Sequence, residues 1–546
     1  MLDLRHENDV EEDVSHRRGF FRNIRIAPEE YAKFGLFGTM FFFIGFIYAF
    51  MRILKDMFVM KKQDASCFNF IKIFYILPIS FAVVIGINYA MQRRSVSKIF
   101  NVCLITFAAL FSFFGVFVVF EEQLMFDSNA IKDRYEDSNK LLRDFMYTVA
   151  EPIATLIYIT AELWGSIILS YLFLSYLNES CSERQHSRFI PPLFILTNLS
   201  LLTSALVTTW MIKAKESMDD SQLRVFMGAF FFVEAALTLV ILVFKYALEN
   251  KVLVRPVFVP TERRSKKPKP KVSFGESIRT MMKSRFLLIM CGVVFFYNAL
   301  YNLVETVYKF GIKAGAEAKN VDKADYSAKF NNIDQYITSI VVIALNFSSF
   351  SHLADTRGWT FVAMLTPIMG AISLVCVFGL GTFNSAATDD SFSFLNAMVP
   401  AGSSHIFLEN FLGVLIVSAM KIFKFTAFDV TKERISMRIE DRYRPKFKSI
   451  YDGIFNKLGK SGGSLYGVVI NTLFSTIDAR GVSLITGIIG AVFVFFWISG
   501  VYYLGELYND AIKHHAPIDI DLFDKEEAEV EPEESKNKEK EIVATK

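Results

Sequence analysis

The chain has 546 residues, 52% of them apolar, with a positive mean hydropathy of +0.34. Phe alone fills 57 positions, more apolar surface than a soluble particle can hide, which excludes a string of ordinary globular domains and indicates a membrane protein. The net charge of +3 is small and lies in blocks between apolar spans, not on one basic face, so nucleic-acid binding is excluded.

Residues 1–34 form an arm of alternating acidic and basic stretches with no short apolar segment before a cleavage site, so no cleaved signal peptide is expected. Apolar runs then recur near 35–54, 70–91, 98–120, 152–177, 189–212 and 225–248, filling a first half over residues 35–249. A basic linker, 250–285, follows and contains Glu262-Arg263-Arg264-Ser265-Lys266-Lys267-Pro268-Lys269-Pro270-Lys271. The second half, 286–505, repeats the pattern near 286–308, 333–353, 359–380, 405–426, 450–475 and 481–505. Each run is long enough to cross a hydrocarbon core of ~30 Å as a helix. The tail, 506–546, is Glu/Lys-rich over 525–541 and too poor in apolar residues to pack, so disorder is expected there.

The predicted fold class is therefore an all-α membrane protein of about twelve transmembrane helices arranged six plus six. By analogy this is the layout of the major facilitator transporters, whose halves are related by pseudo-symmetry. The fragment Ser351-His352-Leu353-Ala354-Asp355-Thr356-Arg357-Gly358, between spans eight and nine, resembles the short Asp-Arg-Gly loop of those transporters. Cations near span ends favour the cytoplasm. Arg17, Arg18, Arg22, Arg25 and Lys33, the loop with Arg93, Arg94 and Lys98, the linker, and the loop Lys432 to Lys448 all fall on one side, which predicts that both termini are cytoplasmic. The 121–150 loop, on the opposite side, is acidic on balance.

Ionisable residues inside apolar spans carry the functional information, because a charge at the bilayer centre costs several kcal/mol unless it meets water or a partner. Span one ends with Arg52, Lys55 and Asp56 within about a turn. Span four holds Glu162 near its middle, and span six holds Glu234 with no motif around it. Span seven ends with Glu305 and Lys309 spaced i, i+4. Span eleven is interrupted by Lys457-Leu458-Gly459-Lys460-Ser461-Gly462-Gly463-Ser464. Arg52, Lys55 and Lys309 are also placed where lysine and arginine snorkel to headgroups, and the glycines around Lys460 also suit a helix-packing notch. Glu162, about ten residues from either span end, has no such alternative.

A P-loop is excluded, since Gly453 and Gly459 are separated by five residues where the motif needs four, and no strand precedes them. No HExxH pattern, paired His/Cys cluster or Ser-His-Asp order occurs, and Cys67, Cys103, Cys181, Cys291 and Cys376 are scattered as packing residues are. No metal, cofactor or catalytic residue is expected. A cavity lined by Arg52, Lys55, Lys309 and Lys460 with Glu162 and Glu305 is cationic on balance, and a polyphosphate leaving water needs several such cations. Tyr297, Tyr301, Tyr308 and Trp164 offer rings on which a purine can stack.

At these same segments the chain resembles the non-mitochondrial ATP/ADP translocases, the nucleotide transporter family of plastids, rickettsial and chlamydial bacteria, and microsporidia. The matching pieces are Arg52-Ile53-Leu54-Lys55-Asp56, Ala161-Glu162-Leu163-Trp164-Gly165-Ser166 continuing to Asn178-Glu179, Asn302-Leu303-Val304-Glu305 with Lys309, Phe428-Asp429-Val430-Thr431-Lys432-Glu433, and Leu458-Gly459-Lys460-Ser461-Gly462-Gly463. The resemblance implies exchange of ATP for ADP by alternating access, with Lys55, Glu162, Glu305 and Lys432 at the family's substrate-linked positions. Arg52, Asn302, Lys309 and Lys460 complete the expected substrate-binding set. Tyr308 stands where the family usually has Trp, Leu174 replaces a common Trp, and the N-terminal arm has no plastid-transit character. The Phe- and Lys-rich style is similar to microsporidian members, which implies the plasma membrane of an intracellular parasite, or alternatively a mitosome or other organelle membrane. Net or proton-coupled import of a broader nucleotide range is the alternative transport reading, and a membrane enzyme or receptor is the alternative outside transport.

Overall fold

The computed structural model describes residues 26–91, 93–124, 127–254, 284–347, 353–388, 393–439, 447–474, 478–514 and 516–518. The basic stretch 262–271, the tail 525–541, most of the N-terminal arm, and Ser351 and His352 lie outside these residues. Among the described residues the chain is helical and has no β-strand. Its long helices are α1 (Tyr31–Lys62), α2 (Cys67–Met91), α3 (Val96–Val119), α4 (Pro152–Ser180), α5 (Glu183–Lys215) and α6 (Asp220–Val252). The second set is α7 (Arg285–Ala318), α8 (Lys323–Phe347), α9 (Trp359–Ala387), α10 (Ile406–Met437), α11 (Asn456–Leu473, preceded by the π-helical turn Ser449–Phe455) and α12 (Ala479–Lys513).

Ten of these helices are long and apolar enough to cross a membrane on length and composition alone. The exceptions, α8 and α11, are the more polar helices of the second half. Helix α8 begins at Lys323, ten residues before the predicted run at 333, because Asp325, Asn331 and Asn332 turn toward other helices instead of ending the element. Helix α11 runs through Lys457 to Ser464 without the interruption expected there. Its glycines explain why. A Cβ on Gly459 or Gly463 would stand 2.8 Å from the carbonyl oxygen of Phe295 or Ala299, so their bare Cα atoms let α11 lie directly on α7. After the short helix Leu353–Thr356, Gly358 takes φ +90°, a conformation that favours glycine, and turns the chain into α9.

The packing repeats when each helix number is raised by six. The pairs α1·α5, α1·α4, α1·α6 and α3·α6 recur as α7·α11, α7·α10, α7·α12 and α9·α12. Between the two sets the largest helix contacts are α5·α8 and α2·α11, which the same shift exchanges, together with α1·α8. One apolar core lies within 26–253, joined by Ala324 and Ala328, and a second lies within 286–518. A small third cluster, in which Phe68 and Tyr158 meet Phe310 and Ala479, seals the two sets together near one end.

That end is the loop face, where α1, α3, α5, α7 and α9 finish. It carries the amphipathic helix Lys140–Ala150 within the acidic 121–150 loop. The opposite end, where α1 begins and α12 ends, is the terminal face.

Candidate functional site

Helix α1 turns three charged residues inward within one turn, and each finds a different partner. Lys55 ion-pairs with Glu162 of α4, lies 4.0 Å from Asp56, and sits 4.1 Å above the Tyr158 ring. Asp56 accepts Lys309 of α7 at 3.1 Å and Asn331 of α8 at 3.3 Å. Arg52 reaches Asp334 of α8 at 3.6 Å, and Asp334 also accepts Lys421 and Ser418 (2.8 Å) from α10. Burial without partners would be prohibitive for these groups, and pairing removes most of that cost. The arrangement rules out snorkelling for Arg52, Lys55 and Lys309, since all three point into the bundle.

Glu305 and Lys309 share a face of α7 but do not pair with each other among the described residues. Glu305 accepts Lys72 of α2 at 3.1 Å, while Lys309 takes Asp56 and lies 4.0 Å over the Phe68 ring. Both therefore reach from the second half to the first. Asn302 has a structural contact: its side-chain oxygen accepts Ser464 of α11 at 2.9 Å, beside the close approach at Gly463.

Lys460 is exposed although it lies in α11 at the level of these buried charges, and it makes no hydrogen bond or ion pair among the described residues. Glu162, Glu305, Lys72 and Lys424 are within its electrostatic reach. Glu162 is 38% exposed and Arg52 25%. Charged groups that are wet at mid-bundle define a water-accessible chamber between the halves. Lys432 is held apart from the Lys55 group, by Asp452 at 2.6 Å and Asp429 at 3.0 Å. Asp429 is also within reach of Lys424 and Lys460, so this pair continues the charged lining toward the terminal face.

Around the chamber Arg52, Lys55, Lys72, Lys309, Lys421 and Lys460 face Asp56, Glu162, Glu305 and Asp334, an excess of two positive charges. The sequence signal for Lys72, Lys421 and Asp334 was present, since each lies inside a predicted apolar run, but no motif surrounds them. Two π-helical segments, Lys72–Ile76 and Lys424–Phe428, begin at a lysine of this lining, and a third, Trp164–Leu172, begins two residues after Glu162. Such segments widen a helix locally and are frequent at functional sites. Of the candidate stacking rings, Trp164 is buried and donates to the Ile44 carbonyl at 3.1 Å, and Tyr297 and Tyr308 are also buried. Tyr301 alone of the four is partly exposed, stacked on Tyr297 with centroids 6.2 Å apart. Glu234 is buried in the first core with neither carboxylate oxygen hydrogen-bonded, and takes no part in the chamber.

The hydrogen bonds and ion pairs seen between the halves run from the level of Ala49 with Gln335 and Thr209 with Tyr336 toward the loop face. Nearest that face, Lys313 donates to Asp64 at 2.6 Å, Arg143 holds the same carboxylate at 2.9 Å, and Lys215 pairs with Asp325. Burial works against the charge on Asp64, yet Lys313 and Arg143 together hold its carboxyl below the usual carboxylate value. Among the described residues these bonds tie the halves at the loop face, and nearer the terminal face Lys457 of α11 lies 5.4 Å over the Phe81 ring of α2.

A helical membrane bundle of two repeated halves, with an ionic chamber between them closed at one end, is a membrane carrier. The TLC ATP/ADP transporter family model matches residues 8–508, and the chain belongs to that family. Its relatives include ADP,ATP carrier protein 1 of Encephalitozoon cuniculi, 43% identical over 98% of this chain and 97% of that protein, and ADP,ATP carrier protein 1 of Paranosema grylli, 30% identical over 95% of each. ADP,ATP carrier protein 1 of Chlamydia trachomatis is 27% identical over 86% of this chain and 87% of its own length. Among solved structures, the D-xylose-proton symporter is similar with a TM-score of 0.47 at 14% identity, covering 87% of this chain and 97% of that one.

Proposed function

We propose that the protein exchanges ATP for ADP across a membrane by alternating access, with Arg52, Lys55, Glu162, Glu305, Lys309, Lys432 and Lys460 in contact with, or positioning, the nucleotide. The observation that carries this is the excess of cations in a wet chamber at mid-bundle, which only an anionic substrate neutralises. Asn302 serves the site indirectly, by fixing α11 and hence Lys460 against α7. Tyr301 is the ring available to a base. The fold is major-facilitator-like with all twelve helices crossing the bilayer: α8 and α11 are polar because they line the chamber, and polar residues are tolerated where they face water.

With both termini in the cytoplasm, the loop face that carries the Lys313–Asp64 and Lys215–Asp325 ties is the outer face. The relatives in Encephalitozoon, Paranosema and Chlamydia support placement in the surface membrane of an intracellular parasite, with an organelle membrane as the alternative. The test is uptake of labelled ATP into proteoliposomes loaded with ADP, with GTP or phosphate, or left empty. Strong stimulation by internal ADP is expected, and equal uptake into loaded and empty vesicles contradicts exchange. One observation favours a second reading, net import with or without a proton. Each chamber cation except Lys460 has an internal carboxylate, so the empty carrier is partly neutralised and can return.

A further inference from the structure

Asp334 belongs to neither the expected site nor any motif, yet it is a meeting point of the halves. It lies on α8, 3% exposed, with Lys421 and Ser418 of α10 on one side and Arg52 of α1 on the other. The two sides are unequal. Lys421 is buried in direct contact, and Ser418 donates at 2.8 Å, whereas Arg52 is 25% exposed and stands off at 3.6 Å. If Arg52 leaves, Asp334 keeps Lys421 as cation and donor and the hydroxyls of Ser418 and Thr338 as further donors, so its release costs little. If Asp334 were absent, Arg52 would lose its ion-pair partner and be left with the more distant Glu305, which is already engaged by Lys72.

We infer that Asp334 is a stand-in anion for Arg52, holding the guanidinium across the chamber while the carrier is empty and giving it up to a phosphate group of the nucleotide. This rests on the proposed nucleotide transport. Asp334 is thus a positioning residue that acts through Arg52. A guanidinium suits the transfer because its planar fork meets a carboxylate and a phosphate in the same geometry. The stand-in has two effects with opposite signs. It competes with substrate, which weakens binding, and it neutralises the empty carrier, which lets that carrier reorient without cargo.

Asp334→Asn removes the charge and keeps the shape. It is expected to lower the KM for ATP several-fold and to raise the ratio of uptake into ADP-loaded over empty proteoliposomes, with Asp334→Glu restoring both toward wild type. A merely structural role moves neither quantity in these directions: it lowers the amount of folded carrier or raises KM. In an Arg52→Gln background the same Asp334→Asn change is expected to leave KM unaltered, because the residue it acts through is gone. Should Asp334→Asn not reach the membrane, Lys421→Met gives the opposite reading. It leaves Arg52 as the ion-pair partner of Asp334 beside the Ser418 and Thr338 hydroxyls, so KM must rise and the loaded-to-empty ratio fall. An unchanged or raised KM in Asp334→Asn, or an unchanged KM in Lys421→Met, overturns the inference while wild-type exchange stands. Absence of nucleotide uptake by the wild type overturns the transport reading and this inference with it.

Discussion

Lys313 of α7 and Asp64, just beyond α1, join the two halves at 2.6 Å at the loop face, and Arg143 grips the same carboxylate from the first half at 2.9 Å. With Lys215 and Asp325 on the flank, this is a latch that any state open on that side must undo. Charge reversal by Asp325→Lys is expected to lower exchange several-fold, and Lys215→Asp added to it should return activity. Failure of the double reversal to recover would separate the pair from the conformational cycle.

Lys55 pairs with Glu162 and Lys432 with Asp429 and Asp452, all within the lining. Lys55→Gln or Lys432→Gln is expected to reduce nucleotide transport roughly tenfold or more, equivalent to ~1.4 kcal/mol of lost interaction with phosphate. Surface labelling should show normal insertion. Near-normal uptake by Lys55→Gln removes that lysine from the site.

Glu305→Gln leaves Lys72 without its carboxylate, and Glu162→Gln leaves Lys55 with only Asp56, at 4.0 Å. Both pairs are partly exposed, so the loss is smaller than the ~3–5 kcal/mol of breaking a fully buried pair, yet it falls on cations inside the bundle. Either variant is therefore expected to lose most exchange, and Lys72→Gln combined with Glu305→Gln to lose less than Glu305→Gln alone. Equal losses in the single and double variants would mean that Lys72 has a role apart from Glu305.

Both tails are predicted on the cytoplasmic side. Protease added to intact cells should cleave neither, and permeabilisation should expose both. Cleavage of the C-terminal tail from outside inverts the orientation and makes the closed end cytoplasmic.

Exchange of ATP for ADP moves about one net charge per cycle, worth ~2.3 kcal/mol per 100 mV. Imposing a potassium diffusion potential across ADP-loaded proteoliposomes is expected to change the initial rate of ATP uptake in a direction that reverses with the sign of the potential. A rate indifferent to potential points to exchange with a compensating ion or proton.

The spans were legible because apolar runs of membrane length, repeated a dozen times, suit a bilayer and little else, and the charges inside them were legible because they are costly there. Lys55 and Glu162 were found this way and are partners. Glu305 and Lys309 were found too, one turn apart on α7, but their partners Lys72 and Asp56, each in the other half, were not assigned. Pairing across a bundle is set by how helices lie side by side, which a single chain does not state. Lys72, Lys421 and Asp334 lie near the ends of their predicted runs, where a charge costs less than at Glu162, and no pattern surrounds them. The glycines beside Lys460 could be read as packing or as site, and the structure gives both: Gly459 and Gly463 face α7, and Lys460 faces the chamber.

The two apolar cores close almost separately, the first within 26–253 and the second within 286–518, with only Ala324 and Ala328 lent from one to the other. A cut between residues 254 and 284 leaves the described residues of each core on one polypeptide, apart from Ala324 and Ala328. Two polypeptides, expressed together, should therefore find each other in the bilayer through the α5·α8, α1·α8 and α2·α11 seams and reconstitute a working carrier, and a chimera made by trading one half with a relative should fail or succeed according to those seams and the ion pairs that cross them.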